Sequence, residues 1–462
     1  MIAIGEGSAN ISKAAISEQS SGSLVRQLGL GDSISIVMGI MIGSGIFLMA
    51  GSIARQLSSL AAVIAVWAVG GLMSLAGALS LGELGAAFPA AGGLYVYLTE
   101  AYGPALGFIY GWSSISLIYA GSIATMAAAV GFYTAPLLGL NLWEQKLLQV
   151  LCIVFFVVVN SLGVAAGKRV QNALTTLKVA GLALMVAVLY WKGSSTLLHA
   201  DLFTPGHSLQ LASFGAALVA VLWAYDGWHI VSFAAGEIRD PGRTLPRALL
   251  IGTAVTTGIY LLANTAYYAV LPPAAIRATD RVAAAAVQQA MGGRAQLLIS
   301  ILIIVSITGA LNGVVLGAPR VNLAMARDGL FFRQFARISR RTHAPVVATV
   351  ALGAWAILFT LIGSFRELFT SYVFTSWIFY GLSVAAVILL RRRRPGLLRP
   401  YRCPLYPVTP VFFVIASLGV VVATFVTSFR QAVLGVALIL VGWPLYFLFR
   451  YLERERSGSP TL

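Results

Sequence analysis

From Gly31 onward the chain is a succession of twelve apolar runs, each close to the length a helix needs to cross a bilayer. They cover roughly 31–54, 60–86, 104–134, 147–165, 170–191, 211–235, 246–270, 295–320, 346–362, 367–390, 410–428 and 432–449. A run of about 20 apolar residues is stable in hydrocarbon only where its backbone is hydrogen-bonded within itself, so each is read as a helix. Charged residues make up 10% of the 462 and apolar ones 59%. Soluble domains carry about 25% and about 45–50%. The balance excludes a soluble enzyme, a secreted disulfide scaffold and a disordered chain. Cys152 and Cys403 are the two cysteines and make no disulfide framework. The fold class expected is an all-α membrane protein with twelve transmembrane helices.

The net charge of +16 suggests nucleic acid until the cations are placed. With the N-terminus cytoplasmic, twenty-two Lys and Arg fall on the inner side, including Lys168, Arg239, Arg320 and Arg391 to Arg394. Eight, among them Arg55, Lys146 and Arg277, fall outside, and Lys178 lies within a run. That asymmetry predicts both termini in the cytoplasm of a plasma (inner) membrane protein, and a miscounted span would scramble it. The Arg391–Arg394 cluster reads as a stop signal at the membrane face, near anionic lipid, and no nucleic-acid partner is expected. Residues 1–30 are polar and Ser-rich with no apolar core, so no cleaved signal peptide is expected. Residues 1–25 and 452–462 read as disordered.

Two runs carry features a membrane helix avoids. The first reads Gly39-Ile40-Met41-Ile42-Gly43-Ser44-Gly45-Ile46-Phe47, three glycines in seven residues at mid-membrane. The sixth reads Trp223-Ala224-Tyr225-Asp226-Gly227-Trp228-His229, a charge and a glycine inside an apolar stretch. Close helix packing explains the first singly, and a water-filled crevice explains the second. Taken together they fall five runs apart. A repeat with an odd number of spans inserts with inverted topology, and its interrupted helices face each other near the midplane. The unwound turns then offer free N–H groups to a carboxylate and free carbonyls to an ammonium, a pairing that fits an α-amino acid. Lys178 lies about eight residues, or ~12 Å, into the fifth run, where reaching the membrane face is strained.

These residues together resemble the amino acid–polyamine–organocation (APC) superfamily, and within it the L-type amino acid transporter (LAT) group. Ile42-Gly43-Ser44-Gly45-Ile46-Phe47 resembles the group's first-helix motif. Phe88-Pro89-Ala90-Ala91-Gly92-Gly93-Leu94-Tyr95, Gln171 through Lys178, Trp223 through Trp228 and Glu237-Ile238-Arg239-Asp240-Pro241 are similar to later segments of it in the same order. So are Asn312, Ala326-Arg327-Asp328-Gly329 and the proline-rich stretch Arg399 to Pro407. The resemblance implies a 5+5 inverted-repeat core with discontinuous first and sixth helices, followed by two further helices. Along the chain this predicts a cytoplasmic tail over 1–30, a first repeat over 31–191, a second over 211–390, two helices over 410–449 and a tail over 450–462. It also implies roles. The N–H groups of Gly43, Ser44 and Gly45 would hold the substrate carboxylate, beside Ile46. Carbonyls of Met41, Trp223 and Asp226 would take the ammonium, with Ala224 and Gly227 forming the sixth-helix break. Trp223 would be the aromatic gate. Lys178 stands where related sodium-coupled carriers place a cation and would bridge the first helix to the fifth. Asn312 and His229 are secondary candidates. Asp226 replaces a frequent glycine and His229 a frequent asparagine, which opens a side-chain contact from Asp226 to substrate or to Lys178. Residues 135–146 contain no Cys, so no disulfide-linked heavy subunit is expected.

The function expected is sodium-independent transport of neutral L-amino acids by alternating access, through exchange (antiport). Proton-coupled symport and carriage of cationic amino acids or polyamines stay open, because Lys178, Asp226 and His229 can each carry a proton. A membrane-embedded enzyme lacks its parts: of His199, His207, His229 and His343 only His229 is at membrane depth, and no metal-ligand motif or cofactor motif accompanies it. A channel would need a repeated filter, and the sequence carries a single crossing of broken helices.

Overall fold

The structure, a computed structural model, describes residues 23–57, 59–193, 211–293, 295–362 and 365–457. Most of the expected N-terminal tail, the segment holding His199 and His207, and residues 458–462 lie outside these. Among the described residues every regular element is helical, apart from one isolated parallel bridge between Leu28 and Ile238.

Ten helices are long and apolar enough to cross a membrane, and the pair Leu30–Met41 and Gly45–Gln56, bent by 42°, makes an eleventh span if counted as one. The remaining apolar run is the helix Val346–Ile362, whose 17 residues stand at the lower limit for crossing. It is here called the ninth span by its place in sequence. Most expected boundaries shift outward by a few residues, whereas the fourth span, Leu142–Ser161, shifts toward the N-terminus. The last helix runs Phe429–Ser457, so residues 452–457 are helical rather than disordered. Residues 23–29 are likewise ordered: Leu28 is fully buried, and its carbonyl accepts from the Arg239 N–H at 2.9 Å.

The interior explains the glycine content. The second span, Leu60–Ala87, and the seventh, Pro241–Val270, pack along one another, and the third packs on the eighth and the fourth on the ninth. Each of these spans therefore rests on the one five places later. The third span is continuous from Pro104 to Leu138 but carries a π-helical turn at Ser114–Ile118. The indole of Trp355 donates to the freed Ser116 carbonyl at 3.1 Å. Such turns are over-represented at functional sites, and Tyr119 follows this one directly.

The arginine cluster after the tenth span is more than a topological signal. Arg391 donates to both oxygens of the buried Glu83 carboxylate in the second span, at 2.9 and 2.5 Å. Arg399 adds a 3.2 Å ion pair, and the Cys403 N–H donates to the same carboxylate at 2.7 Å. Arg394 pairs with Glu100. Glu83→Ala therefore removes the carboxylate that Arg391 and the buried Cys403 N–H share, while Arg399 keeps the Leu390 and Leu397 carbonyls. Breaking a buried pair costs about 3–5 kcal/mol. Because Arg391 is partly exposed, we expect the lower end of that range, read as a lowered melting temperature in detergent.

Candidate functional site

Both breaks are present and both are buried. The first helix ends at Met41, passes through Ile42 at φ −77° and ψ 76°, and restarts at Gly45. The sixth span is α-helical over Leu211–Ala224, turns over 225–227 and resumes as a 3-10 segment, Trp228–Glu237. Gly227 sits at φ +107°, a conformation natural to glycine. The breaks touch backbone to backbone. A Cβ on Gly45 would lie 2.5 Å from Ala224 Cα, and one on Gly227 would lie 2.3 Å from Ile40 Cγ2.

Breaking a helix in hydrocarbon frees carbonyls and N–H groups that need partners. The carbonyls find them within the protein. Lys178, fully buried, donates from Nζ to Gly39 O at 2.8 Å, to Ile42 O at 2.8 Å and to Ser306 O at 2.6 Å. Ser306 Oγ donates to Ile42 O at 2.8 Å and approaches Gly43 O at 3.2 Å. The Tyr260 hydroxyl from the seventh span lies 2.6 Å from Met41 O and 2.9 Å from Ala224 O, so one group ties both breaks. Lys178 thus bridges the first span to the fifth and also to the eighth. The contact between Lys178 and Asp226 that the sequence left open is not formed.

The N–H groups fare differently. Gly43 N–H donates to Met41 O at 2.8 Å. No hydrogen bond is recorded among the described residues for the N–H groups of Ser44 and Gly45, and both residues line a narrow cavity of about 30 Å³. Met41, Trp223, Ala224, Asp226 and Gly227 share that lining, with Tyr119, Ser122, Thr125 and Tyr372 from the third and tenth spans. Ile46 is fully buried one residue away. Trp223 Nε1 donates to Tyr372 Oη at 2.5 Å. Asp226 Oδ1 accepts from the Gly227 N–H at 2.9 Å and from Tyr380 Oη at 2.9 Å. His229 is buried behind the lining, with Nε2 at 3.1 Å from Tyr119 Oη. Asn312 is elsewhere. It accepts from Asn160 at 2.9 Å and donates to Gln171 at 2.7 Å, tying spans four, five and eight together.

Access differs on the two sides. Thr125 also lines a vestibule of about 740 Å³ bounded by Arg55, Lys146, Gln149 and Asp280. Arg55 and Asp280 form an ion pair at its rim, 2.6 Å apart. On the side of the ordered N-terminal segment the chain is tied to Glu237. Gln27 and Leu28 donate to Glu237 O at 2.9 Å each, and Arg320 pairs with the buried Glu237 carboxylate at 2.7 Å.

The sequence reading missed Tyr119, Tyr260, Ser306, Tyr372 and Tyr380. Each is an ordinary polar residue in an apolar helix, and only helix rotation turns it toward the breaks. Tyr119 alone carried a local signal, the serines at 113, 114 and 116 just before it.

Broken first and sixth spans crossing at a buried cavity, within a bundle of long apolar helices, are the architecture of an APC-type membrane transporter. The amino acid permease family description matches residues 28–449, and the chain belongs to that family. It is an amino-acid transporter. The chain is 33% identical over 428 residues to the serine/threonine exchanger SteT of Bacillus subtilis (strain 168), covering 92% of this chain and 97% of that protein. It is 32% identical over 439 residues to the human b(0,+)-type amino acid transporter 1, covering 92% and 88%. It is 28% identical over 432 residues to the human cystine/glutamate transporter, covering 92% and 85%.

Proposed function

We propose that the chain exchanges neutral L-amino acids across the plasma membrane, independently of sodium, by alternating access around the crossing of the first and sixth spans. One observation carries this. The Gly39, Met41 and Ile42 carbonyls at the first break are capped by Lys178, Ser306 and Tyr260, while Ser44 and Gly45, whose N–H groups make no hydrogen bond among the described residues, line the cavity. A cavity offering donors at the positive end of a helix calls for a carboxylate. The Asp226 carboxylate on the cavity wall is the group offered to the ammonium, since the Trp223 carbonyl already accepts from the Asp226 N–H at 3.0 Å. Exchanger function in the relative SteT supports the antiport reading, and the ammonium of Lys178 occupies a place a coupling ion would need. Both termini are read as cytoplasmic from the cation asymmetry. The two 5-span repeats and the absence of a disulfide-linked partner remain part of this proposal.

The test is counterflow in proteoliposomes preloaded with L-serine. Uptake of labelled L-serine unaffected by replacing sodium with potassium is the expected result, and uptake independent of internal amino acid would overturn exchange. A cationic substrate is the second reading, favoured by the Asp226 carboxylate on the cavity wall, and L-arginine competing as well as L-serine would establish it.

Trp223 and Tyr372 both line the cavity and are hydrogen-bonded to each other, which supports reading Trp223 as the gate. A group that stabilises the closed state more than the open one changes the rate of switching. Trp223→Ala should therefore slow exchange by about tenfold more than it weakens equilibrium binding, a difference of about 1.4 kcal/mol. Equal losses in the two measurements would make Trp223 a plain wall.

A further inference from the structure

Beside the cavity a chain of polar side chains runs through three spans. Tyr110 Oη lies 3.0 Å from Tyr119 Oη, and Tyr119 Oη lies 3.1 Å from His229 Nε2. Tyr380 Oη stands 3.3 Å from the same nitrogen and donates to Asp226 Oδ1 at 2.9 Å. Tyr110, Tyr119, His229 and Tyr380 are buried, whereas the Asp226 side chain is 21% exposed and lines the cavity. The titratable groups facing His229 are thus Asp226 on its own segment, Tyr119 from the third span with Tyr110 behind it, and Tyr380 from the tenth.

Counting protons along this chain leaves Nδ1 unmatched. Tyr380 has a single hydroxyl proton and gives it to Asp226, so its oxygen presents lone pairs to Nε2. That contact is a hydrogen bond only if Nε2 carries the ring proton, whereas Tyr119 Oη, 3.1 Å from the same nitrogen, can accept from it or donate to it. In the tautomer that satisfies Tyr380, Nδ1 is a bare acceptor. It is buried, has no hydrogen-bond partner, and faces the Asp226 carboxylate at 3.9 Å. An unmet buried acceptor costs about 1–3 kcal/mol. One proton on Nδ1 would supply the donor and turn the contact into an ion pair. Lys178 does not compete for this role, since three N–H bonds directed at three carbonyls use every donor of its ammonium.

We propose that His229 and Asp226 together hold one exchangeable proton, and that the ammonium of the amino acid displaces it into the cavity. The inference rests on the substrate site proposed above. Two positive charges at one carboxylate repel, so the ammonium and the proton on Nδ1 exclude each other. By linkage, one proton released on binding weakens apparent affinity by about tenfold per pH unit of acidification below the titration of the pair.

The experiment is calorimetric titration of the purified full chain in detergent with L-serine, in phosphate and in Tris, between about pH 5 and 8, the range a histidine switch spans. The expected result is an enthalpy that differs between buffers by the heat of transferring about one proton over part of that range. His229→Gln should remove the difference, and Tyr380→Phe, which removes one of the two hydroxyls beside Nε2 and the one on Asp226, should shift the pH at which it occurs. Buffer-independent enthalpies in the wild type at every pH, with L-serine bound, would overturn the proton site and leave the substrate site standing. Proton release persisting in His229→Gln would overturn it as well. No heat with L-serine in any buffer would overturn the substrate site and this inference with it.

Discussion

Replacing Lys178 by alanine is expected to reduce exchange about 100-fold or more while the protein stays folded in detergent. The Nζ caps Gly39 O and Ile42 O on the broken first span and reaches Ser306 O on the eighth. After the substitution Ile42 O keeps Ser306 Oγ, but Gly39 O loses the one side chain directed at it. A buried carbonyl without a donor costs about 1–3 kcal/mol, more where the donor was charged. The break then relaxes, by rewinding the helix or admitting water, and either change moves the N–H groups of Ser44 and Gly45. A displacement of that kind costs roughly 2.7 kcal/mol for 100-fold. Counterflow of L-serine with Lys178→Ala, beside thermal unfolding of the same sample, checks it. In the wild type the same assay should give equal rates in sodium, potassium and choline, because the ammonium already supplies the charge. A steep sodium dependence would sink this account of Lys178.

The second large effect is expected at Gly45. Its missing side chain lets the first span touch the backbone of Ala224, since an added Cβ would sit 2.5 Å from Ala224 Cα and 2.6 Å from its Cβ. Neither atom belongs to a flexible side-chain end, so the two breaks must separate. Overpacking of this kind costs about 1–3 kcal/mol. The cost falls on the two segments that form the cavity. Gly45→Ala should therefore weaken L-serine binding by about 10- to 100-fold. Gly43 is the internal control, because a Cβ there makes only ordinary contacts, with Ala310 Cβ at 3.5 Å and Ile40 O at 3.7 Å. Calorimetry on both variants separates the outcomes, and equal affinities would argue that the crossing is not where substrate binds.

The two variants probe what was readable in different degrees. The breaks were legible because glycine clusters and a charge inside apolar runs are costly in hydrocarbon and mark themselves. Lys178 was legible for the same reason, and its bridge to the first span was implied by the family resemblance alone. Its third acceptor was not, since Ser306 is an unremarkable serine in the eighth span. The arginines at 391–394 read as a charge cluster at a membrane face, and that is sound as far as position goes. That Arg391 grips Glu83 across 308 positions was beyond any local pattern. Asn312 was a secondary candidate through the resemblance alone, and in the structure it pairs with Asn160 and Gln171 between helices.

Hydropathy and charge order along the chain were enough to determine a polytopic helical membrane protein, its span order and the two places where helices fail. Those properties follow from transfer free energies and backbone hydrogen bonding, which are local along the sequence. The rotation of each helix about its axis was decided only by tertiary packing. That rotation brings Tyr119, Tyr260, Tyr372 and Tyr380 to the crossing and turns Asn312 away. It also packs Arg320 and the N-terminal segment onto Glu237 and leaves a vestibule beside Arg55. Helices that are apolar nearly all round have no preferred face in lipid, so the glycine contacts between neighbours, and not the bilayer, set which side chains look inward.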